Sequence, residues 1–194
     1  MKDRDLSFQR QPEILVIDDV AENLQLLTGM LSAKGYKVRP VLGGRQALAL
    51  AVANPPDLIL LDITMPEMDG YEVCAQLKAS QSLKEIPVIF ISGRSGMEDK
   101  IRAFDDGGVD FVTKPFDVKE VQARVETHLK LRFLQMELEI LNTNLNEKVL
   151  EKTQEITESQ LATLLALATL AEYRDDETGK HLERLFISQE GLRQ

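Results

Sequence analysis

The chain has 194 residues, 43% of them hydrophobic and 28% charged, enough for one domain of ordinary size and an extension. A formal charge of −9 argues against a general binder of nucleic-acid backbones, because that affinity comes from lysine and arginine neutralising phosphates. The single cysteine, Cys74, excludes an intrachain disulfide, fits a reducing cytoplasmic compartment, and reads as a packing residue on a helix.

Residues Met1 to Pro12 are polar and charged without an apolar run, so they read as a flexible leader, 1–12, and not as a secretory signal. From Glu13 to Thr113, short apolar runs alternate with helix-like stretches. The runs are Glu13 to Ile17, Lys37 to Leu42, Leu58 to Leu61, Pro87 to Ile91 and Val109 to Thr113. The helical stretches between them are Ala21 to Lys34, Arg45 to Ala53, Tyr71 to Ser80 and Met97 to Asp106. Strand and helix in alternation predict an α/β doubly wound fold with a five-stranded parallel sheet, in the flavodoxin-like order 2-1-3-4-5. The second strand is the least apolar and contains Pro40, which suits an edge. Gly35, Gly43-Gly44, Gly70 and Gly107-Gly108 fall at the junctions, where helix ends and tight turns need them.

The strand ends collect polar groups. The first strand runs into Asp18-Asp19, and the third ends on Asp62, ahead of Met65-Pro66 and Asp69-Gly70. The fourth ends on Ser92-Gly93 and the fifth on Lys114-Pro115-Phe116. In an open α/β sheet the carboxyl ends of the strands are where ligands sit. Three carboxylates at one edge repel one another, an arrangement tolerated mainly when a hard cation such as magnesium lies among them. Asp19 also has Glu22 three residues on, the spacing of a capping box for the helix that follows. Ser92, taken alone, is an ordinary turn residue.

Together, Asp18-Asp19, Asp62 with Met65-Pro66 and Asp69-Gly70, Ser92, Phe111 and Lys114-Pro115-Phe116 resemble the receiver domain of two-component response regulators, over residues 12 to 130. The resemblance implies that Asp62 is the phosphoacceptor, taking a phosphoryl group from a sensor histidine kinase or phosphotransfer protein. It implies a Mg2+ ion held by Asp19, Asp62 and the backbone carbonyl of Thr64, with Asp18 acting largely through water. Lys114 and Ser92 would contact phosphoryl oxygens, the Lys114-Pro115 bond would be cis, and Phe111 with Ser92 would form the switch. Beyond phosphorylation of itself on Asp62, no enzyme activity is expected of this chain.

After Phe116 neither glycine nor proline appears until Gly179, which predicts one long helix or two in line. Leu131, Leu134, Leu138, Leu141 and Leu145 recur at steps of three and four, the a/d pattern of a coiled coil. Val149 breaks the step by one residue, a stutter, and Ile156 resumes the line. The expectation is a receiver over 13–130 and a parallel homodimeric coiled coil over 131–172. Asn142, Asn144, Asn146, Lys148 and Lys152 in or beside the seam weaken it. The longest apolar-rich run, Leu161 to Ala171, is too short to span a bilayer.

Residues Leu167 to Leu182 resemble the opening of the HD-GYP phosphodiesterases, which hydrolyse cyclic diguanylate. The resemblance implies that Glu177 and His181 belong to a metal-binding motif. The histidine-aspartate pair and the glycine-tyrosine-proline segment of that family are absent from the sequence, and one glutamate with one histidine cannot hold a catalytic metal cluster. Residues 173–194 are therefore expected to be the incomplete start of an output domain. The reading is a response regulator that signals through a helical stalk, the alternative being a regulator whose full-length parent is a cyclic-di-GMP phosphodiesterase.

Overall fold

The structure, a computed structural model, describes residues 10–93 and 97–190, with side chains described over 10–93, 101–167, 169 and 170. Five strands, β1 (Glu13–Ile17), β2 (Lys37–Val41), β3 (Leu58–Asp62), β4 (Val88–Ser92) and β5 (Asp110–Thr113), alternate with α1 (Ala21–Ser32), α2 (Gly44–Ala53), α3 (Gly70–Ala79) and α4 (Met97–Asp105); α5 (Val118–Glu190) follows β5. All pairings are parallel and the order is β2-β1-β3-β4-β5, as the alternation predicted. Contacts divide the chain into two units, Met1–Glu137 and Leu138–Gln194.

The sheet is covered on both faces, which is why its inner strands are apolar over residues 14–17, 58–61 and 88–91, with polar residues only at their ends. Side chains alternate between faces along a strand. Leu15, Ile17, Ile59, Leu61, Val88 and Phe90 pack beneath Ala47, Ala51, Val73, Cys74 and Leu77 of α2 and α3. Ile14, Val16, Leu58, Leu60, Ile89 and Ile91 meet Leu24, Leu27 and Leu31 of α1, with Val121, Val125 and Leu129 of α5. Strand β2 lies at the edge, and Pro40 stands opposite Val16 there. A missing ladder donor is tolerated at that place. The Cys74 thiol is fully buried, donates to the Asp106 carbonyl, and is pushed up to about 11 by that burial.

At the opposite end of the sheet from the strand carboxyl ends, Arg10 forks onto Asp57, with Nη1–Oδ2 at 2.9 Å and Nη2–Oδ1 at 2.5 Å. The Glu13 backbone amide donates to the same carboxylate at 2.8 Å. Gln11 donates to the Gly35 carbonyl and Lys37 N–H to the Pro12 carbonyl. The last three residues of the stretch read as a loose leader are therefore tied to the sheet; residues 1–9 lie outside the described residues.

The capping box forms elsewhere than at Asp19. Helix α1 begins at Ala21 with Val20 as its N-cap and no side-chain cap, so Asp19 stands one residue too early. The box with the same spacing forms on α3, where Asp69 accepts from the Glu72 amide and Glu72 accepts from the Asp69 amide.

Helix α5 runs from Val118 to Glu190 as one helix of 73 residues. Its first turns are core: Val121, Val125 and Leu129 are fully buried, and Phe133 packs against them. Among the described side chains of the second unit the large apolar residues are solvent-facing, with Leu138 66% exposed, Leu145 59% and Ile156 57%. Among the described residues no helix is long and apolar enough to cross a membrane. The side chains of Glu177 and His181 lie outside the described residues.

Candidate phosphoacceptor site

Parallel register brings the ends of β1, β3, β4 and β5 to one edge of the sheet, and with them the residues the sequence singled out. Asp18 and Asp62 are buried and Asp19 is exposed, yet one carboxylate oxygen from each of the three lies within 4.8 Å of the others. Lys114, from the turn after β5, reaches into this group. Its Nζ is 2.7 Å from Asp18 Oδ2 and 3.0 Å from Asp62 Oδ2. The Lys114-Pro115 bond is cis, and the Lys114 amide donates to the Ser92 carbonyl at 2.7 Å.

Ser92 is buried at the end of β4, the strand beside β3. Phe111 is also buried, packed with Phe90 and Tyr71 among the residues under α2, α3 and α4. Thr64 is exposed in the loop leaving β3, two residues beyond Asp62. That loop closes tightly. The Gly70 amide donates to the Ile63 carbonyl at 2.9 Å, and a Cβ on Gly70 would meet the Asp62 carbonyl oxygen at 2.4 Å. Backbone cannot yield to such a contact, so only glycine lets α3 begin this close to the phosphoacceptor candidate. Glu67, in the same loop, has a positive φ of 65°.

The electrostatics of the site follow from burial and neighbours. Burial pushes the Asp62 carboxyl upward; the Lys114 hydrogen bond and charge pull it down, and the charges of Asp18 and Asp19 push up again. The net result lies above the usual carboxylate range. Burial works against the Lys114 ammonium, but its hydrogen bonds and charge interactions with Asp18 and Asp62 outweigh that, so it is held above the ordinary lysine value. Two like charges 4 Å apart near a protein surface repel by about 4 kcal/mol, and one ammonium among three carboxylates leaves the site negative. Oxygen donors, an excess of negative charge and contributions from two strand ends suit a hard divalent cation such as magnesium.

Two contributions were not read from the sequence. One is Gly70 in its packing role. The other is Asn23 on the first turns of α1, whose Nδ2 is 3.0 Å from both Asp18 oxygens. Asn23 also lines a cleft of about 420 Å³ with Leu26, Lys114, Pro115 and Phe116. The one sequence hint was its spacing, one helical turn beyond Asp19.

Residues 14–126 match the family described as the response regulator receiver domain. A probable cyclic di-GMP phosphodiesterase of Vibrio cholerae is 41% identical over 174 residues, covering 90% of this chain and 39% of that protein. The response regulator PleD of Caulobacter vibrioides is 41% identical over 125 residues, 64% of this chain and 28% of the relative. The crystal structure of the signal receiver domain of a histidine kinase from Syntrophus aciditrophicus superposes with a TM-score of 0.58 at 36% identity, covering 61% of this chain and 90% of that one. The chain thus spans less than half the length of these two curated relatives.

Proposed function

This chain belongs to the response regulator receiver family, carrying the receiver domain of a two-component response regulator, and from that premise we propose that Asp62 accepts a phosphoryl group from a histidine kinase or phosphotransfer protein. A carboxylate oxygen of Asp62 forms the new P–O bond while the P–N bond of a phosphohistidine on the partner breaks. The electron pair leaves on the imidazole nitrogen, which is then protonated from solvent. The acyl phosphate is a covalent intermediate of the carboxylate-nucleophile kind.

Lys114 and Ser92 supply fixed positive and hydroxyl donors to the phosphoryl oxygens, charge stabilisation of the sort that carries most phosphoryl transfer. Magnesium, held by Asp19, Asp62 and the Thr64 carbonyl with Asp18 acting through water, would neutralise charge on the transferring group. Phe111 and Ser92 are the switch pair. The observation carrying this reading is the Lys114 ammonium lying between Asp18 and Asp62 at the joined strand ends. Acetyl phosphate with magnesium is expected to add one phosphoryl group to the 194-residue chain by intact mass, and Asp62→Asn to abolish the gain. An equal gain in the variant would refute the assignment.

We further propose a receiver over 13–130, a homodimeric parallel coiled coil over 131–172 and the start of an output region over 173–194. The exposed leucines of α5 at a/d spacing support the pairing. The alignment with the probable cyclic di-GMP phosphodiesterase covers 90% of this chain and so runs well beyond the receiver into α5. That extent favours a longer parent in which the receiver governs a cyclic-di-GMP phosphodiesterase. Sedimentation equilibrium of the full chain is expected to give a dimer that Leu138→Lys dissociates; a wild-type monomer at high concentration would remove the stalk.

A further inference from the structure

Asp18 is surrounded by donors from its own chain. Oδ1 accepts from the Val20 amide at 2.9 Å and from Asn23 Nδ2 at 3.0 Å; Oδ2 accepts from Asn23 Nδ2 at 3.0 Å and from Lys114 Nζ at 2.7 Å. An ionised carboxylate offers about four lone-pair sites; three donor groups crowd this one, the Asn23 nitrogen straddling both oxygens, which leaves room for a water and not for a cation in direct contact. Asp18 is also fully buried, so its carboxylate cannot turn away to solvent to find others.

We propose that Asn23 is a positioning residue that reserves Asp18 for Lys114 and keeps it from direct contact with the cation. The inference deepens the reading above and rests on it. The Asn23 amide straddles the carboxylate, fixing its plane between α1 and the turn after β5. Neutral donors on a carboxylate offset part of its charge, and a cation can reach such an oxygen only by displacing a donor or by binding through water. Asp19, exposed beside it, and Asp62, which shares Lys114, are left as the direct carboxylate ligands. Asn23 therefore holds the affinity for magnesium below what three unencumbered carboxylates would give. It does so by acting on Asp18 alone.

Removing the amide should leave more uncompensated charge on Asp18 against Asp62 and Asp19, a repulsion the cation relieves. Titration calorimetry of the 194-residue chain with magnesium chloride tests this in a double-mutant cycle. Asn23→Ala is expected to lower the magnesium Kd roughly threefold to tenfold, the scale of one hydrogen bond's net contribution. In an Asp18→Asn background the same substitution is expected to leave the Kd unchanged. An unchanged or weaker affinity for Asn23→Ala overturns the proposal, and so does an equal tightening in both backgrounds. If alanine prevents folding, Asn23→Ser, too short to reach Asp18, takes its place with the same two outcomes. Absence of magnesium binding by the wild-type chain defeats the metal reading itself; wild-type binding indifferent to Asn23 defeats this inference alone.

Discussion

Strand β3 begins beside one buried aspartate and ends on another, and the two have opposite surroundings. Asp57 receives a two-pronged arginine and a backbone amide, charge-assisted bonds that neutralise it where it lies. Asp62 shares a single lysine with Asp18 and lies within reach of a third carboxylate. Both are almost without solvent contact, at 4% and 3% exposure. Burial is thus common to the two, and charge balance is what separates the structural carboxylate from the proposed phosphoacceptor. A satisfied acid anchors the chain, whereas an acid in negative surplus suits the cation and the phosphoryl group proposed for it.

Substitutions at the two ends should break this comparison in different currencies. The largest expected effect is on phosphorylation: Asp62→Asn is expected to remove it entirely and Asp57→Asn to leave the folded fraction competent, both read by the same intact-mass assay. The next effect is on stability. Arg10→Ala leaves the Asp57 carboxylate without its guanidinium, and is expected to cost about 1–3 kcal/mol in urea unfolding, the lower part of the range for a half-exposed partner. An unchanged midpoint would mean that the fork contributes nothing.

The smallest effect is at Asp110, where β5 begins. Burial pushes this carboxyl up, but hydrogen bonds from Arg124, the Phe111 amide and His128, with the Arg124 charge, bring it below the usual carboxylate value. A depressed folded-state value contributes stability that is present above the unfolded-state value and is lost as pH falls through the folded one. Asp110→Asn is therefore expected to lower Tm at neutral pH and to converge with the wild type in acid. A gap independent of pH would assign the loss to packing instead.

The strands and the acids at their ends were legible in the sequence for physical reasons. A strand buried on both faces must be apolar throughout, so Leu58 to Leu61 announced itself. Parallel strands end together, so Asp18, Asp62, Ser92 and Lys114 could be gathered without coordinates. What escaped depended on placement within a turn of helix. Asp19 with Glu22 and Asp69 with Glu72 share one spacing, and only where each helix starts decides which pair caps. Asn23 has no periodic pattern around it to mark it, because its role comes from reaching back to a strand end. Arg10 lies in a polar leader and meets a partner 47 residues away, a separation that local pattern does not register.

The measurement closest to the central claim is the thermal midpoint with and without magnesium chloride at neutral pH. The negative surplus at Asp62 predicts that magnesium raises Tm of the wild type and of Arg10→Ala alike, since Arg10 serves the other end of the strand. Asp62→Asn should start higher without the ion, having lost a repelling charge, and should gain little from it. A magnesium-induced rise of equal size in Asp62→Asn, or none in the wild type, would contradict the account.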